Sequence, residues 1–372
     1  MRKWQSYKNL GDVVTIIMGQ SPSSDTYNDK EGLPFFQGNA DFGKEHPTVR
    51  VFCNSPIRIA EPNDILISVR APIGAINIAD RQCCIGRGLA AIRGANSVSN
   101  RFLYFFLTAS KNTLISQGTG STFKSIGKDA LKNLQMPVFN LNEQERIVSE
   151  LDLLAGIIDK QKQQLKELDT LAQSIFYDMF GSPDANEKEW IMKSLAEIGT
   201  IVSGSTPSTS DESNWDGDVN WVTPAELGVQ LFYGETRRKI TSKAAKSLTI
   251  MPIGTLLMSS RAPIGKLAIT SVSMCCNQGF KNIVCGNNVN NIYLYYCLML
   301  NINSIKAMGR GATFKEVSKQ AVSSFEIMLP PMNLQELFAQ KILSIESQKE
   351  SINRSIAESQ KLFDYTMDKY FG

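Results

Sequence analysis

The strongest constraint on this chain is that it repeats itself. The segment "SVRAPIGAINIADRQCCIGRGLAAIRG" (68–94) matches "SSRAPIGKLAITSVSMCCNQGFKNIVC" (259–285) at an offset of 191, with ten of 27 pairs identical. The same offset aligns "GTGSTFKSIGKDA" (118–130) with "GRGATFKEVSKQA" (309–321) and holds to the end, pairing Phe180-Gly181 with Phe371-Gly372. Farther upstream the offset is 185: "TIIMGQSPSS" (15–24) pairs with "TIVSGSTPST" (200–209), and Phe36 pairs with Trp221. The second copy therefore carries six extra residues, expected between about 41 and 68 of the first. A fixed long period means that each repeat is one structural unit. The 372 residues read as a tandem duplication with a variable front and a length-locked back.

Each copy divides again. In the front part, "DILISVRAPIGAINIA" (64–79) is β-branched, alternating, and broken by Pro72 and Gly74, which predicts two strands with a bend between them. Aromatic-rich helical stretches follow at 99–116 and 289–308, with their rings expected in the core. The back part, 141–181, is a proline-free helix with apolar residues at Ile147, Leu151, Leu154, Ile158, Leu165, Leu168, Ala172, Ile175 and Met179. That is the alternating 4,3 spacing of a coiled-coil seam, interrupted at Gln161. Asn142 followed by Glu145 predicts a capping-box start, and Gly181 before Ser182-Pro183 a stop. The second copy starts at Asn333 and puts Phe338, Ile342, Ile345, Ile352, Ile356 and Phe363 on the matching seam, with Lys349 opposite Ile158. A helix of this length spans roughly 57 Å and cannot bury its stripe alone. The economical arrangement pairs the two, antiparallel, about an approximate two-fold axis. The expected fold is α+β: two pseudo-symmetric mixed α/β domains at 1–140 and 182–331, joined by antiparallel coiled-coil helices at 141–181 and 332–372.

Composition narrows the chemistry. A single histidine, His46, in the loop-like "GKEHPTV", removes any His-His metal site and leaves a triad only this one residue to rest on. Seven cysteines form no C-x-x-C, and the odd count fits a reducing cytoplasm. No apolar run approaches the roughly 20 residues of a membrane helix. No G-x-x-x-x-G-K-[ST] phosphate loop, no [DNS]-P-P-[FYW] methyltransferase tetrapeptide and no [DE]-x-K nuclease signature is present. The net charge of +3 hides an uneven distribution: 16 Lys and Arg against 10 Asp and Glu in 1–140, but 4 against 8 in 141–181. A basic block followed by an acidic one permits nucleic-acid binding without requiring it.

Two variable domains, each followed by a helix of matched length, carry S-x-R-A-P-I-G, G-x-G-x-T-F-K and an L/M-N-x-Q-E helix start (Leu141–Glu145, Met332–Glu336) in both copies. This pattern, over the whole chain, resembles the specificity (S, HsdS) subunit of type I restriction-modification systems. The resemblance implies a non-catalytic reader of double-stranded DNA, each domain taking half of a split target. The helices would act as a ruler for the gap and as the dock for two methyltransferase (M) subunits, with restriction-translocase (R) subunits joining them. It implies no cofactor in this chain, S-adenosylmethionine being bound by the M subunit for methylation at adenine.

Several residues are candidates for contact with DNA. Arg70 and Arg261 follow strands, in matched loops, and read either as phosphate or guanine contacts or as structural arginines bonding loop carbonyls. Lys124 and Lys315 end the glycine loops and suit phosphate, with Thr122 and Thr313 supporting them or merely capping the turn. Arg237, Arg238 and Lys239 form the densest basic run, suited to a groove or to a solvated face. Arg87 stands opposite Gln278, and Gln37-Gly38-Asn39 opposite Val222-Thr223-Pro224, unlike pairs of the kind that different half-sites would need. Outward acidic residues such as Glu150, Glu167, Glu346 and Glu358 suit a partner surface or a solvated face. The competing reading is a protein-interaction adaptor, two globular heads on a coiled-coil rod with no DNA binding.

Overall fold

The computed structural model describes residues 6–95, 97–120, 124–261, 263–309 and 315–372. Internal contacts divide the chain into two compact units, Met1–Lys162 with Asn353–Gly372, and Gln163–Ile352.

In the first unit, the run Ile65–Ser68, apolar up to its last residue, is buried along its whole length, as a central strand requires. It lies in an antiparallel sheet of order Val14–Met18, Leu89–Gly94, Ile65–Ser68, Ile76–Ile78. The predicted pair of strands flanking the Arg-Ala-Pro-Ile-Gly turn is therefore present, in register Ile65↔Ile78 and Ile67↔Ile76. A second sheet runs Tyr27–Asn28, Phe52–Cys53, Leu33–Phe36, Cys83–Ile85, Ile59–Ala60. Helix Asn100–Ala109 is capped by Ser99, whose Oγ accepts from the Phe102 N–H, and sinks Phe102, Phe105 and Phe106 into the core.

The second unit repeats this plan. Its larger sheet runs Gly199–Ser203, Lys281–Cys285, Leu256–Met258, Leu267–Thr270, Phe232–Tyr233, and its aromatic helix is Asn291–Leu300. The smaller sheet, Arg238–Ile240 with Trp215–Val222 and Cys275–Cys276, replaces the five-stranded one of the first unit.

Both long helices have 40 residues, Leu141–Phe180 and Met332–Phe371. The glutamine of the L/M-N-x-Q-E motif explains how each is fastened. Gln144 is buried; its Oε1 accepts from the Ser99 N–H, and its Nε2 donates to the Ser97 and Phe139 carbonyls. Gln335 makes the matching bonds to Asn290, Asn288 and Pro330. One side chain thus ties the start of each long helix to the start of the aromatic helix before it.

Two details of the helices differ from the sequence reading. The capping box uses Asn140 and Glu143, not Asn142 and Glu145: Asn140 Oδ1 accepts from the Glu143 N–H at 2.9 Å, and Glu143 Oε2 from the Asn140 N–H at 3.0 Å. The same Asn-x-x-Glu spacing occurs two residues earlier than the one the motif suggests, and that pair closes the box, so the helix starts at Leu141. Gly181 ends the helix as expected, at φ +80°, with its N–H donating to the Tyr177 carbonyl. The second difference lies in the seam. Ile147, Leu151, Leu154 and Ile158 are buried, and Leu165 and Leu168 are half-buried. Beyond Ala172, however, the buried residues are Phe176 and Phe180, while Ile175 and Met179 are half-buried. An unsupercoiled helix turns every 3.6 residues and drifts from a 3.5 repeat. Here its last turns join the core of a globular unit, where both rings meet Tyr293 and Phe338. Phe338, Ile342 and Ile345 of the C-terminal helix are buried in the same core, and Ile352 and Ile356 are half-buried. In the first unit, Met367 and Tyr370 share a core with Ile147 and Leu151.

Candidate nucleic-acid interface

The repeated S-x-R-A-P-I-G turn separates into building parts and one residue left over. Ser68 Oγ donates to the Pro72 carbonyl at 2.6 Å and accepts from the Ala75 N–H at 2.9 Å. Ser259 does the same with Pro263 and Lys266. Gly74 and Gly265 hold φ of +82° and +87°, a conformation that other residues rarely adopt, which accounts for the glycine of the motif. Ile73 is buried and Ile264 packs on the second core. Serine, isoleucine and glycine make the turn; the arginine does not.

In the first unit Arg70 is exposed, and its backbone bridges Ser125. It shares with Arg87 a cleft of about 510 Å³ lined by Ser21, Tyr27, Gln37 and Gly88. The structure therefore gathers three residues that the sequence singled out separately: Arg70, Arg87 and Gln37. Arg87 is exposed, and its N–H donates to Ser21 Oγ. The Tyr27 ring packs tilted against Phe35, centroids 4.7 Å apart, and its hydroxyl donates to the Pro22 carbonyl. Burial raises the Tyr27 phenol, more than the nearby Arg87 charge lowers it. Two guanidinium groups beside an amide and hydroxyls can bond an anion or a base edge. Lys124 is exposed beside this turn, with its carbonyl accepting from the Ala71 N–H.

The matched face of the second unit has other chemistry. Gln278 replaces Arg87, and its Oε1 accepts from Thr206 Oγ1 at 2.5 Å. Arg261 keeps the position of Arg70, but its Nε donates to Glu316 Oε2 at 3.0 Å. Arg238 lays its guanidinium on the Trp215 ring, 3.6 Å from the centroid. The Arg237 N–H donates to Glu226 Oε2, and Lys239 is exposed on the strand Arg238–Ile240. Glu226 also accepts from Tyr233 and from both the N–H and the hydroxyl of Thr223, so one carboxylate holds two sides of this face. Burial, then that carboxylate, pushes the Tyr233 phenol up to about 12. Lys315 is exposed. Thr122 and Thr313 lie outside the described residues.

Strand pairing corrects the match between the two fronts. Phe35 pairs with Cys84, and Trp221 with Cys275. The Gly86 N–H donates to the Phe36 carbonyl, and the Asn277 N–H to that of Val222. Trp221 is thus the counterpart of Phe35, not Phe36, and Gln37 faces Thr223. One of the six extra residues lies before Phe35, because the offset of 185 still holds at Gln20 and Ser205, whose N–H groups donate to Ile85 and Cys276. Two adjacent phenylalanines hid the slip.

Sequence reasoning did not find Ser21, Tyr27, Trp215, Glu226, Lys281 or Glu316. Ser21, Lys281 and Glu316 meet partners 35 or more residues away, while Tyr27 and Glu226 bond within loops whose folding no local pattern announces; only the repeated STPST and SPSS segments hinted at Ser21 and Thr206. Among the described residues no cluster of three His, Cys, Asp or Glu side chains is placed to hold a metal ion, and no helix is long and apolar enough to cross a membrane. His46 lies in an exposed loop, its Nδ1 2.9 Å from the Ile78 carbonyl.

Two copies of one scaffold with unlike faces agree with the comparison to known families. The chain matches the family described as "Type I restriction modification DNA specificity domain" twice, over residues 1–170 and 187–359. It belongs to that family. Over 157 residues it is 41% identical to the putative type I restriction enzyme MjaX specificity subunit of Methanocaldococcus jannaschii, a match covering 41% of this chain and 37% of that protein. The chain thus spans little more than a third of the length of that relative. It is 24% identical over 300 residues to the type I restriction enzyme EcoR124I/EcoR124II specificity subunit of Escherichia coli, covering 74% of this chain and 72% of the other. The solved S subunit of a type I restriction-modification system from M. genitalium shares the fold: TM-score 0.59 at 15% identity, over 99% of this chain and 96% of that one.

Proposed function

We propose that the chain is the DNA-specificity subunit of a type I restriction-modification complex and is itself non-catalytic. Each specificity domain, 1–140 and 182–331, reads one half of a bipartite double-stranded target. One observation carries this reading: a single strand-and-turn scaffold presents Arg87 and Gln37 beside the shared arginine in one unit, and Gln278 and Thr223 at the matched positions of the other. A shared fold with exchanged side chains is what two different half-sites demand, because base edges are told apart by their donor and acceptor patterns.

The long helices, 141–181 and 332–372, form an antiparallel pair that sets the gap between half-sites and docks two methyltransferase subunits, with restriction subunits joining the assembly. Contacts inside each unit support the antiparallel sense. Glu150 meets Tyr370 and Gln161 meets Ser355 in the first; Asp169 meets Lys349 and Phe180 meets Phe338 in the second. Residue numbers rise along one helix as they fall along the other. S-adenosylmethionine belongs to the methyltransferase partner in this reading, and the complex works in the cytoplasm.

The test is selection from a random duplex library by the tagged chain together with whatever subunits it retains from its native extract, at two salt concentrations. A two-part motif with a fixed gap, weakened by salt, is the expected result. Absence of any enriched sequence, or one uninterrupted motif, overturns the proposal; absence of a methyltransferase from the retained proteins as well would favour the adaptor reading.

A further inference from the structure

We infer that Glu316 is a positioning residue that aims Arg261 at a base edge of the second half-site, whereas Arg70, without such a brace, contacts the backbone of the first. This rests on the function proposed above and names which arginine carries sequence information.

The two arginines start from the same place. Arg70 bridges Ser125 through the backbone, and Arg261 bridges Glu316 in the same way, at positions 191 apart. Only the side-chain support differs. Glu316 Oε2 accepts from Arg261 Nε, and Glu316 Oε1 accepts from Lys281 Nζ at 3.3 Å. Lys281 is nearly buried, with a side-chain exposure of 10%, so the carboxylate is held from behind by a cation that cannot swing into solvent. Partial burial pushes the Glu316 carboxyl up, and the bonds to Arg261 and Lys281 outweigh it, keeping the group below its ordinary value. At the matched positions the first unit has Ala90 and Ser125, so neither half of the brace exists there.

The brace engages only one edge of the guanidinium. Among the described residues, Nη1 and Nη2 of Arg261 make no hydrogen bond, and the side chain is half exposed. The two parallel donors of a half-exposed guanidinium held at its Nε match the O6 and N7 acceptors of guanine. Preorganisation lowers the ordering cost of that bond and penalises any base that cannot accept both donors. Arg70, with no such brace among the described residues, keeps its rotamer freedom, which suits a phosphate, reachable from many directions.

The test uses the same library selection with the tagged chain and its retained subunits. Arg261→Ala and Arg261→Lys should each cost on the order of tenfold to a hundredfold preference for guanine at one position of the second half-site, leaving the first unchanged. Arg70→Ala should weaken all sequences alike and flatten the dependence of log affinity on log salt by about 1. Glu316→Ser, which installs the residue of the first copy, should lower the same guanine preference while affinity at low salt holds or rises, since a negative charge is gone. Adding Glu316→Ser to Arg261→Ala should cost no further preference. Unchanged base preference in either Glu316→Ser or Arg261→Lys overturns the inference; a wild-type chain that selects no split motif instead overturns the function beneath it. If Glu316→Ser does not fold, Glu316→Gln, which keeps the chain length, replaces it for the brace, and Arg261→Lys, which leaves Glu316 and Lys281 in place, still tests the guanine contact; guanine preference unchanged in either overturns the inference.

Discussion

Gln161 in the central helix donates Nε2 to the Ser355 hydroxyl at 2.7 Å, while its own Oε1 is buried with no hydrogen-bond partner among the described residues. The position is half satisfied. Removing one member strands the other, whereas removing both leaves an apolar contact. The matched residue in the second copy is Ile352. Ser355→Ala should therefore destabilise the first unit by about 1 kcal/mol, and Gln161→Ile with Ser355→Ala should restore or raise its Tm. Calorimetry on both variants decides it; a double variant less stable than Ser355→Ala would refute the bookkeeping.

Phe180 and Met179 make a second, sharper comparison. Heptad spacing favours Met179 as the seam residue, but Phe180 is the one fully buried, with ring contacts to Phe176, Tyr293 and Phe338. Phe180→Ala should cost about 3–5 kcal/mol, as large cavities in aromatic cores do, and Met179→Ala clearly less. Thermal unfolding of the two variants gives the order, and equal losses would favour the unbroken 4,3 seam.

These cases show where the sequence was readable. The turn at Arg70 was legible because Ser68 and Gly74 build it locally, and the long helices because their period and the stop at Gly181 are local too. The fastening by Gln144 was not, since its partner Ser99 lies 45 residues away and a glutamine on a helix looks solvated. The brace at Glu316 was hidden for another reason: its counterpart, Ser125, has no charge, so alignment of the copies erased it. Of the candidate contact residues, the cleft united Arg70, Arg87 and Gln37, which the sequence could only name one by one.

The cysteines offer a test with pH. Burial pushes the Cys83 and Cys276 thiols up to about 12, from an ordinary value near 9. No disulfide joins the described cysteines, and Cys285 alone is partly exposed. At pH 8 the folded chain should react with a thiol reagent at Cys285 at most, and with all seven after denaturation. A thiol with a raised folded pKa keeps its proton while the unfolded chain loses it. Stability should thus be full below pH 9 and fall as pH rises from about 9 towards 12. Stability rising over that interval would contradict the burial of these thiols.

Variants at Lys124 and Arg87 would separate attraction from reading within one unit. Lys124 is exposed beside the Arg70 turn, and Arg87 lies in the cleft with Gln37 and Ser21. A phosphate contact is blind to sequence and releases a counterion, so Lys124→Ala should weaken every duplex alike and reduce the salt slope by about 1. A base contact is the reverse. Arg87→Ala should cost about 1–3 kcal/mol of discrimination at one position of the first half-site and leave the second half-site intact. Affinities measured on the selected duplex and its single-base variants, each at several salt concentrations, separate the two. A salt slope unchanged by Lys124→Ala removes the phosphate role, and relaxation of both half-sites by Arg87→Ala would mean that this arginine supports the fold and reads no base.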